Sequence, residues 1–469
     1  MPHNGKRSPV PSITRCLSAA LVLVFTVVLA LPSTISAAVR LINNAYVMDG
    51  TAFPTPSPGF VGSAIKDFIA PTLGASYVGI PVTTPEHLVG IDQSVQDGLT
   101  ALKSAIARKQ TDPRKPFVIF GFSQSTVISM LLKAELEEQK AQGNAVSNVT
   151  FVGIGVGNRP NGGIAERLVG LTIPFFDFTF NGAAPTDPAH GFTTIDIARQ
   201  YDGLADTPQF LINPFADLNA VLGVLFVHAF YGEQVSLDPN SPKYVPGTTK
   251  QQYGDTTYYY IPSTNLPLFD PLRLVGVPES LIDIVEPFFK VLVEAGYDRS
   301  IPFGEPTPAQ LIPTIDPVTF ALQLAGSVLE GANNAAKLVG AQLPGYATLT
   351  KMLTTAQTWS ANTIGAPYRR VVSAINKVFN PILAFDRIEG PIAKAVDTVI
   401  NRLGIPRALN AVLDATLVPI TAWAERTLLF PQRDSAPGAS DTKRKREPTA
   451  IAPPLDSPAS MTDQTRHGA

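Results

Sequence analysis

The chain has one cysteine, Cys16, and five histidines. A single thiol closes no intramolecular disulfide, and it falls in an export-like segment, which excludes thiol catalysis and a cysteine-ligated metal site. No metal cluster and no phosphate-cradling loop is visible in the sequence. No metal and no cofactor are expected. Charge is sparse as well: 16% of residues are charged and the formal net charge is −2, so there is no basic footprint for nucleic acid. What the chain has is apolar material (45%) together with 43 prolines and 35 glycines. That composition predicts a sizeable core and many loops and broken helices. The 469 residues allow one large domain or two to three smaller ones.

Lys6, Arg7 and Arg15 precede an uncharged run from Cys16 through Val39 with an apolar centre at Leu21 to Leu31. Pro32 and the small residues Ser36-Ala37-Ala38 follow. This is the order of a secretory signal, with cleavage after Ala38 expected; a retained membrane anchor is the alternative. Either way the remaining chain is expected outside the cytoplasmic membrane, in the cell envelope or beyond it. At the other end, residues 431–469 are rich in Pro, Ser and Thr, with Lys443-Arg444-Lys445-Arg446, and read as a disordered tail.

Between these ends, short apolar runs alternate with helical patterns. Strands are predicted at Ala45–Met48, Ala75–Ile80, Phe117–Phe120, Val149–Ile154 and Thr193–Ala198. Helices are predicted at Val61–Ile69, ending near Pro71, at Ile91–Lys109 and from Val127 to about Gln142. Alternation of this kind predicts an α/β fold, a mostly parallel sheet with helices on both faces and its site at the carboxyl ends of the strands. From about Leu281 the pattern becomes helical and proline-broken, with amphipathic stretches at Tyr368–Phe379, Ile392–Leu403 and Leu409–Leu429. A helical extension or lid over 316–430 is expected.

One junction carries chemistry. The run ending at Phe120 meets Gly121-Phe122-Ser123-Gln124-Ser125, close to the Gly-x-Ser-x-Gly elbow in which a strand turns sharply into a helix and presents a serine. Small residues are needed two before and two after the nucleophile, and Gly121 and Ser125 meet that need for Ser123. A serine nucleophile requires a base, and the base an orienting carboxylate, in the chain order Ser, Asp or Glu, His. His87 precedes the serine, His3 lies in the export segment and His467 in the tail. His228, in an apolar run, is the expected base, with His190 the weaker choice. Tyr201-Asp202-Gly203-Leu204-Ala205-Asp206 follows a strand. Asp206, in its Gly-x-x-Asp shape, is the first choice for the acid and Asp202 the alternative. The expected oxyanion donors are the N–H of Gln124 and the early Gly50-Thr51 loop, through Thr51.

Taken together, Asp49-Gly50-Thr51-x-x-Pro54-Thr55-Pro56, Thr84-Pro85-Glu86, Ser94-Val95-x-x-Gly98, Gly121-Phe122-Ser123-Gln124-Ser125, Tyr201 to Pro208, the segment around His228, Leu266-Pro267-Leu268 and Gly296-Tyr297-Asp298-Arg299 resemble, in that order, the mycobacterial PE-PPE domain, a cutinase-like serine hydrolase. The resemblance runs from about Tyr46 to Ile315. Asp49 and Ala229 stand where that family usually has glycine, and a signal-like segment stands where a PE or PPE leader often precedes the domain. The resemblance implies an α/β-hydrolase domain over 39–315, preceded by the signal or anchor over 1–38. It also implies a Ser123–Asp206–His228 triad acting on acyl esters of envelope lipids or glycolipids, trehalose esters among them, as an esterase or an acyltransferase. The alternative is a non-catalytic envelope protein that keeps the fold and binds lipid.

Overall fold

The computed structural model describes residues 43–383 and 396–424, apart from 75, 111, 113, 175 and 397. The signal- or anchor-like segment 1–38 with Cys16, the tail 431–469 and the start of the stretch 392–403 lie outside the described residues.

Strands are β1 (Asn43–Val47), β2 (Tyr77–Pro81), β3 (Phe117–Phe122), β4 (Val149–Ile154), a short hairpin of β5 (Thr172–Ile173) and β6 (Phe178–Thr179), β7 (Thr194–Arg199), β8 (Thr249–Tyr253) and β9 (Thr256–Ile261). Seven form one sheet in the order β2-β1-β3-β4-β7-β9-β8. Every pairing in it is parallel except the edge pair β8–β9.

The central strands are apolar on both faces because helices cover both. Along β1, Ala45 and Val47 face one core and Tyr46 and Met48 the other. Along β3, Val118, Phe120 and Phe122 share the first core, and Phe117 and Ile119 the second. This is the two-residue alternation of a strand buried on both sides. Helices Ile91–Lys109 and Gln124–Ala141 close the second face through Val95, Leu99, Leu102 and Ile128. The segment from Pro58 closes the first through Phe60, Ala64 and Phe68. That segment ends at Leu73, two residues past Pro71, near where the pattern predicts its end. A π-helical turn over Ala64–Ile69 restarts the ladder, and Pro71 falls in the first turn of the restarted piece, Ala70–Leu73.

The mostly parallel sheet with helices on both faces is an α/β-hydrolase architecture, and a helical extension follows it. Helices Glu279–Glu294, Pro317–Leu338, Tyr346–Ser360 and Ala366–Leu383 come in turn, within one compact unit. A final helix, Ile405–Ala424, returns to the loops at the carboxyl ends of β1 and β2. There Asn410 Nδ2 donates to Val89 O (2.6 Å) and Thr421 Oγ1 to Ala52 O (3.0 Å).

Candidate active site

The turn after β3 is sharp. Ser123 has φ 55° and ψ −120°, a left-handed conformation for a residue with a Cβ, and directly precedes the helix Gln124–Ala141. Such a backbone costs of order 1–3 kcal/mol and persists only where its surroundings over-determine it. Gly121 makes the turn possible: a Cβ there would stand 2.8 Å from Ser125 O. Ser125, where the elbow pattern has glycine, is wholly buried and ties the turn to itself. Its Oγ accepts from Phe122 N (2.9 Å) and donates to Phe122 O (3.0 Å).

His228 sits in a single 3-10 turn, His228–Phe230, directly after the helix Pro214–Phe226. Its Nε2 lies 2.8 Å from Ser123 Oγ, and its ring stacks on Phe122 with centroids 5.1 Å apart. On the far side, Nδ1 lies 2.8 and 2.9 Å from the two carboxylate oxygens of Asp202. Asp202 is fully buried. It also accepts from Tyr231 OH (2.7 Å), Leu204 N (2.9 Å) and Ala205 N (3.3 Å). Burial pushes its pKa up, but the attraction and hydrogen bond of His228, with those other donors, outweigh burial and hold it below the usual carboxylate range. Gly155, at φ +61°, opens the space beside this pair, since a Cβ there would stand 2.7 Å from His228 Cε1.

The carboxylate that meets the His228 imidazole is therefore Asp202 and not Asp206, the first choice from the sequence. Asp206 points away from the imidazole into a separate network. Its carboxylate accepts from Arg299 Nη1 (2.6 Å), Tyr201 N (2.8 Å) and Tyr260 OH (3.1 Å). The loop is a pinned turn, with Tyr201 in a left-handed conformation (φ 67°) and Asp206 N donating to Asp202 O (2.6 Å). It aims the first aspartate at His228 and uses the second as its anchor. His190 is far from this arrangement in role: it pairs with Asp187 on the exposed surface.

Thr51 and Gln124 are brought together beside the serine. A Cβ on Gly50 would stand 3.1 Å from Ser123 Cβ, so the Gly50-Thr51 turn lies against Ser123. Asp49, in place of glycine, caps that turn by accepting from Gly50 N (2.8 Å). The Gln124 side chain, which sequence reasoning leaves out, closes a ring of hydrogen bonds. His87 N donates to Ser94 Oγ (3.0 Å), and Ser94 Oγ donates to Gln124 Oε1 (2.8 Å). Gln124 Nε2 donates to His87 O (2.9 Å) and to Thr51 Oγ1 (3.1 Å). Because the Thr51 oxygen accepts there, its own proton is left to donate elsewhere. The backbone N–H of Gln124, first in its helix, is among the donors a helix leaves unpaired at its N-terminus.

These groups open on a cleft of about 530 Å³. Ile91, Val95, Val127, Leu131, Ile164 and Leu204 are among its apolar lining residues, and Asp92, Gln96, Asp177 and Asn181 among its polar ones. The size and mixed lining suit a small amphiphile. The arrangement can do acyl transfer: nucleophile, base and acid are in line, with donors beside the serine.

Comparison with known proteins fits this geometry. Residues 74–298 match the PE-PPE domain model. Esterase PE16 of Mycobacterium tuberculosis is 38% identical over 58% of this chain and 49% of its own length. PE family protein PE3 of the same organism is 34% identical over 63% of this chain and 64% of its own. Diacyltrehalose acyltransferase Chp2, also from M. tuberculosis, is 26% identical over 54% of this chain and 69% of its own. The chain thus spans about half of the first of these relatives and under two thirds of the second. It carries a PE-PPE domain across residues 74–298.

Proposed function

We propose that the protein is a serine esterase or acyltransferase acting on acyl esters of cell-envelope lipids or glycolipids. The observation that carries the reading is the unbroken line Ser123 Oγ, His228 Nε2, His228 Nδ1, Asp202, with Ser123 lining a cleft of mixed apolar and polar character. His228 takes the proton of Ser123 as Oγ bonds to the acyl carbon, and Asp202 stabilises the imidazolium that forms. The developing oxyanion is met by the Gln124 N–H and by Thr51; one such donor is typically worth ~3 kcal/mol of transition-state stabilisation. The imidazolium returns its proton to the departing alcohol. Water, or the hydroxyl of a sugar, then attacks the acyl-serine with His228 again as base. The apolar lining residues suit an acyl chain and the polar ones a hydroxylated partner.

Support also comes from what the relatives are called, an esterase in one case and a diacyltrehalose acyltransferase in another. On this reading a trehalose-type glycolipid is the first substrate to try, and the segment 1–38 delivers the enzyme to the envelope. An alkyl fluorophosphonate probe tests the nucleophile: wild type labels and Ser123→Ala does not. Equal labelling of the two, or none of wild type, refutes the proposal. With an acyl glycolipid, release of free fatty acid indicates hydrolysis and a newly acylated acceptor indicates transfer.

A further inference from the structure

The loops that hold the oxyanion donors are strained and are gripped from outside by a distant part of the chain. Ala52, next to Thr51, is left-handed (φ 68°), and so is Glu86 (φ 49°), next to the His87 carbonyl that fixes Gln124. Neither is glycine, so each conformation costs about 1–2 kcal/mol and needs outside restraint. The two loops restrain each other through Ala52 N to Glu86 O (2.8 Å). Beside these and the Gln124 ring, further restraints come from the helix Ile405–Ala424. Thr421 Oγ1 donates to Ala52 O (3.0 Å), and Asn410, itself buried, donates to Val89 O (2.6 Å). Asp414 Oδ2 stands 3.6 Å from His87 Nδ1. Three side chains at positions 410, 414 and 421, spaced as one helix face, thus reach the two loops that carry Thr51 and the Gln124 clamp.

We propose that this C-terminal helix is a strap that holds the oxyanion hole in its working geometry, with Asn410, Asp414 and Thr421 as positioning residues. The inference rests on the serine-esterase reading above. The strap touches neither Ser123 nor His228 among its described hydrogen bonds. Its loss should therefore leave the nucleophile and base in place and loosen only the groups that meet the oxyanion. A loosened donor weakens the transition state more than substrate binding, so the effect belongs in kcat and not in KM.

The test uses the full-length protein and variants Thr421→Val, Thr421→Ser, Asn410→Leu and the pair Asn410→Leu/Thr421→Val. Val412→Ala, at an exposed site on the same helix, is the control. Three quantities are read: the rate of labelling by an alkyl fluorophosphonate, kcat and KM for a p-nitrophenyl acyl ester, and Tm. Expected is a fall of about five- to tenfold in labelling rate and kcat for Thr421→Val and for Asn410→Leu, the loss of one hydrogen bond each. The pair falls further, KM stays within about twofold, Thr421→Ser restores most of the rate and Val412→Ala matches wild type. Variants that lower Tm but label at the wild-type rate per folded molecule overturn the strap, as does a change confined to KM. If wild type itself does not label, the esterase reading falls and the strap with it; if wild type labels and the variants match it, only the strap falls.

Discussion

Replacing Asp202 by Asn is the sharpest perturbation of the site, because it keeps shape and removes charge. The carboxylate accepts from the His228 Nδ1–H and from three other donors, and it is fully buried. An asparagine can present only one oxygen to that set. With its amide turned to His228, it donates to Nδ1 and stabilises the tautomer that carries its proton on Nε2, where Ser123 Oγ needs a base. In serine hydrolases that tautomer error costs about 10⁴ in kcat, or about 5.5 kcal/mol. A loss of about 10³–10⁴ in kcat/KM for an acyl ester is expected. Asp206→Asn breaks a different set of bonds. Arg299 keeps its pair with Glu294 (3.0 Å) but loses the one with Asp206. The expected cost is about 1–3 kcal/mol of stability, with activity per folded molecule within about tenfold of wild type. Ester hydrolysis, probe labelling and thermal denaturation on the same preparations separate the two. If Asp206→Asn is folded and inactive while Asp202→Asn keeps its rate, the assignment of the acid is wrong.

Ser123→Gly should abolish probe labelling and raise Tm, because glycine adopts φ 55° without the strain that serine carries there; a lowered Tm would show the elbow is not a strain reservoir. Ser94→Ala removes one link of the ring that holds the Gln124 amide, and should lower kcat about tenfold with KM nearly unchanged, since the ring fixes Gln124 and Thr51, the residues placed to meet the oxyanion. Glu86 is buried almost completely, and burial, opposed by the Thr84 hydroxyl, raises its pKa to about 8 from the ordinary 4.5. The folded state therefore holds this proton more tightly than the unfolded state does. Stability is full below about 4.5, falls as pH rises and levels off above about 8, and Glu86→Gln should flatten that slope in denaturation measured across the range. Leu131 stands eight residues beyond Ser123 on the elbow helix, roughly 12 Å along its axis, and lines the cleft. Leu131→Trp should shift activity from long to short acyl esters, and an unchanged chain-length profile would remove the cleft from the acyl path.

Much of this fold is legible along the chain because its signals are local. The elbow can be read because the close approach of strand and helix needs glycine at 121, and the covering helices because Val95, Leu99, Leu102 and Ile106 repeat on one face. The hairpin β8–β9 escapes because β8, Thr-Lys-Gln-Gln-Tyr, is a mostly exposed edge strand with no apolar alternation to betray it. The acid escapes for a different reason. Asp202 and Asp206 stand in one loop, and which of them meets the histidine is decided by Arg299, 93 residues downstream of Asp206. Once that guanidinium claims Asp206, burial leaves Asp202 as the carboxylate against His228. The sequence does hold the clue, in Gly296-Tyr297-Asp298-Arg299, but only the fold says which aspartate the arginine reaches.

The part hidden most completely from the sequence is where the chain is strained. Among the described residues, five that are not glycine have a positive φ: Ala52, Glu86, Ser123, Asp177 and Tyr201. Each borders the site. Ser123 is the elbow serine, Tyr201 precedes Asp202, and Ala52 and Glu86 flank Thr51 and the carbonyl that holds Gln124. Asp177 lines the cleft. Glycine would fill any of these positions at lower conformational cost, and glycine is used freely elsewhere in left-handed turns, as at Gly74, Gly143 and Gly247. Side chains at these five positions therefore carry a cost that local folding does not explain. Ser123 must have its hydroxyl, but Ala52 offers only a methyl group. A methyl at a left-handed position narrows the backbone's choices once the neighbouring contacts have selected one of them. The stiffness that results suits an oxyanion hole, whose donors must already point at charge that appears only in the transition state. It also makes the loop dependent on Glu86 and Thr421, since a conformation the residue itself disfavours relaxes when either contact is lost.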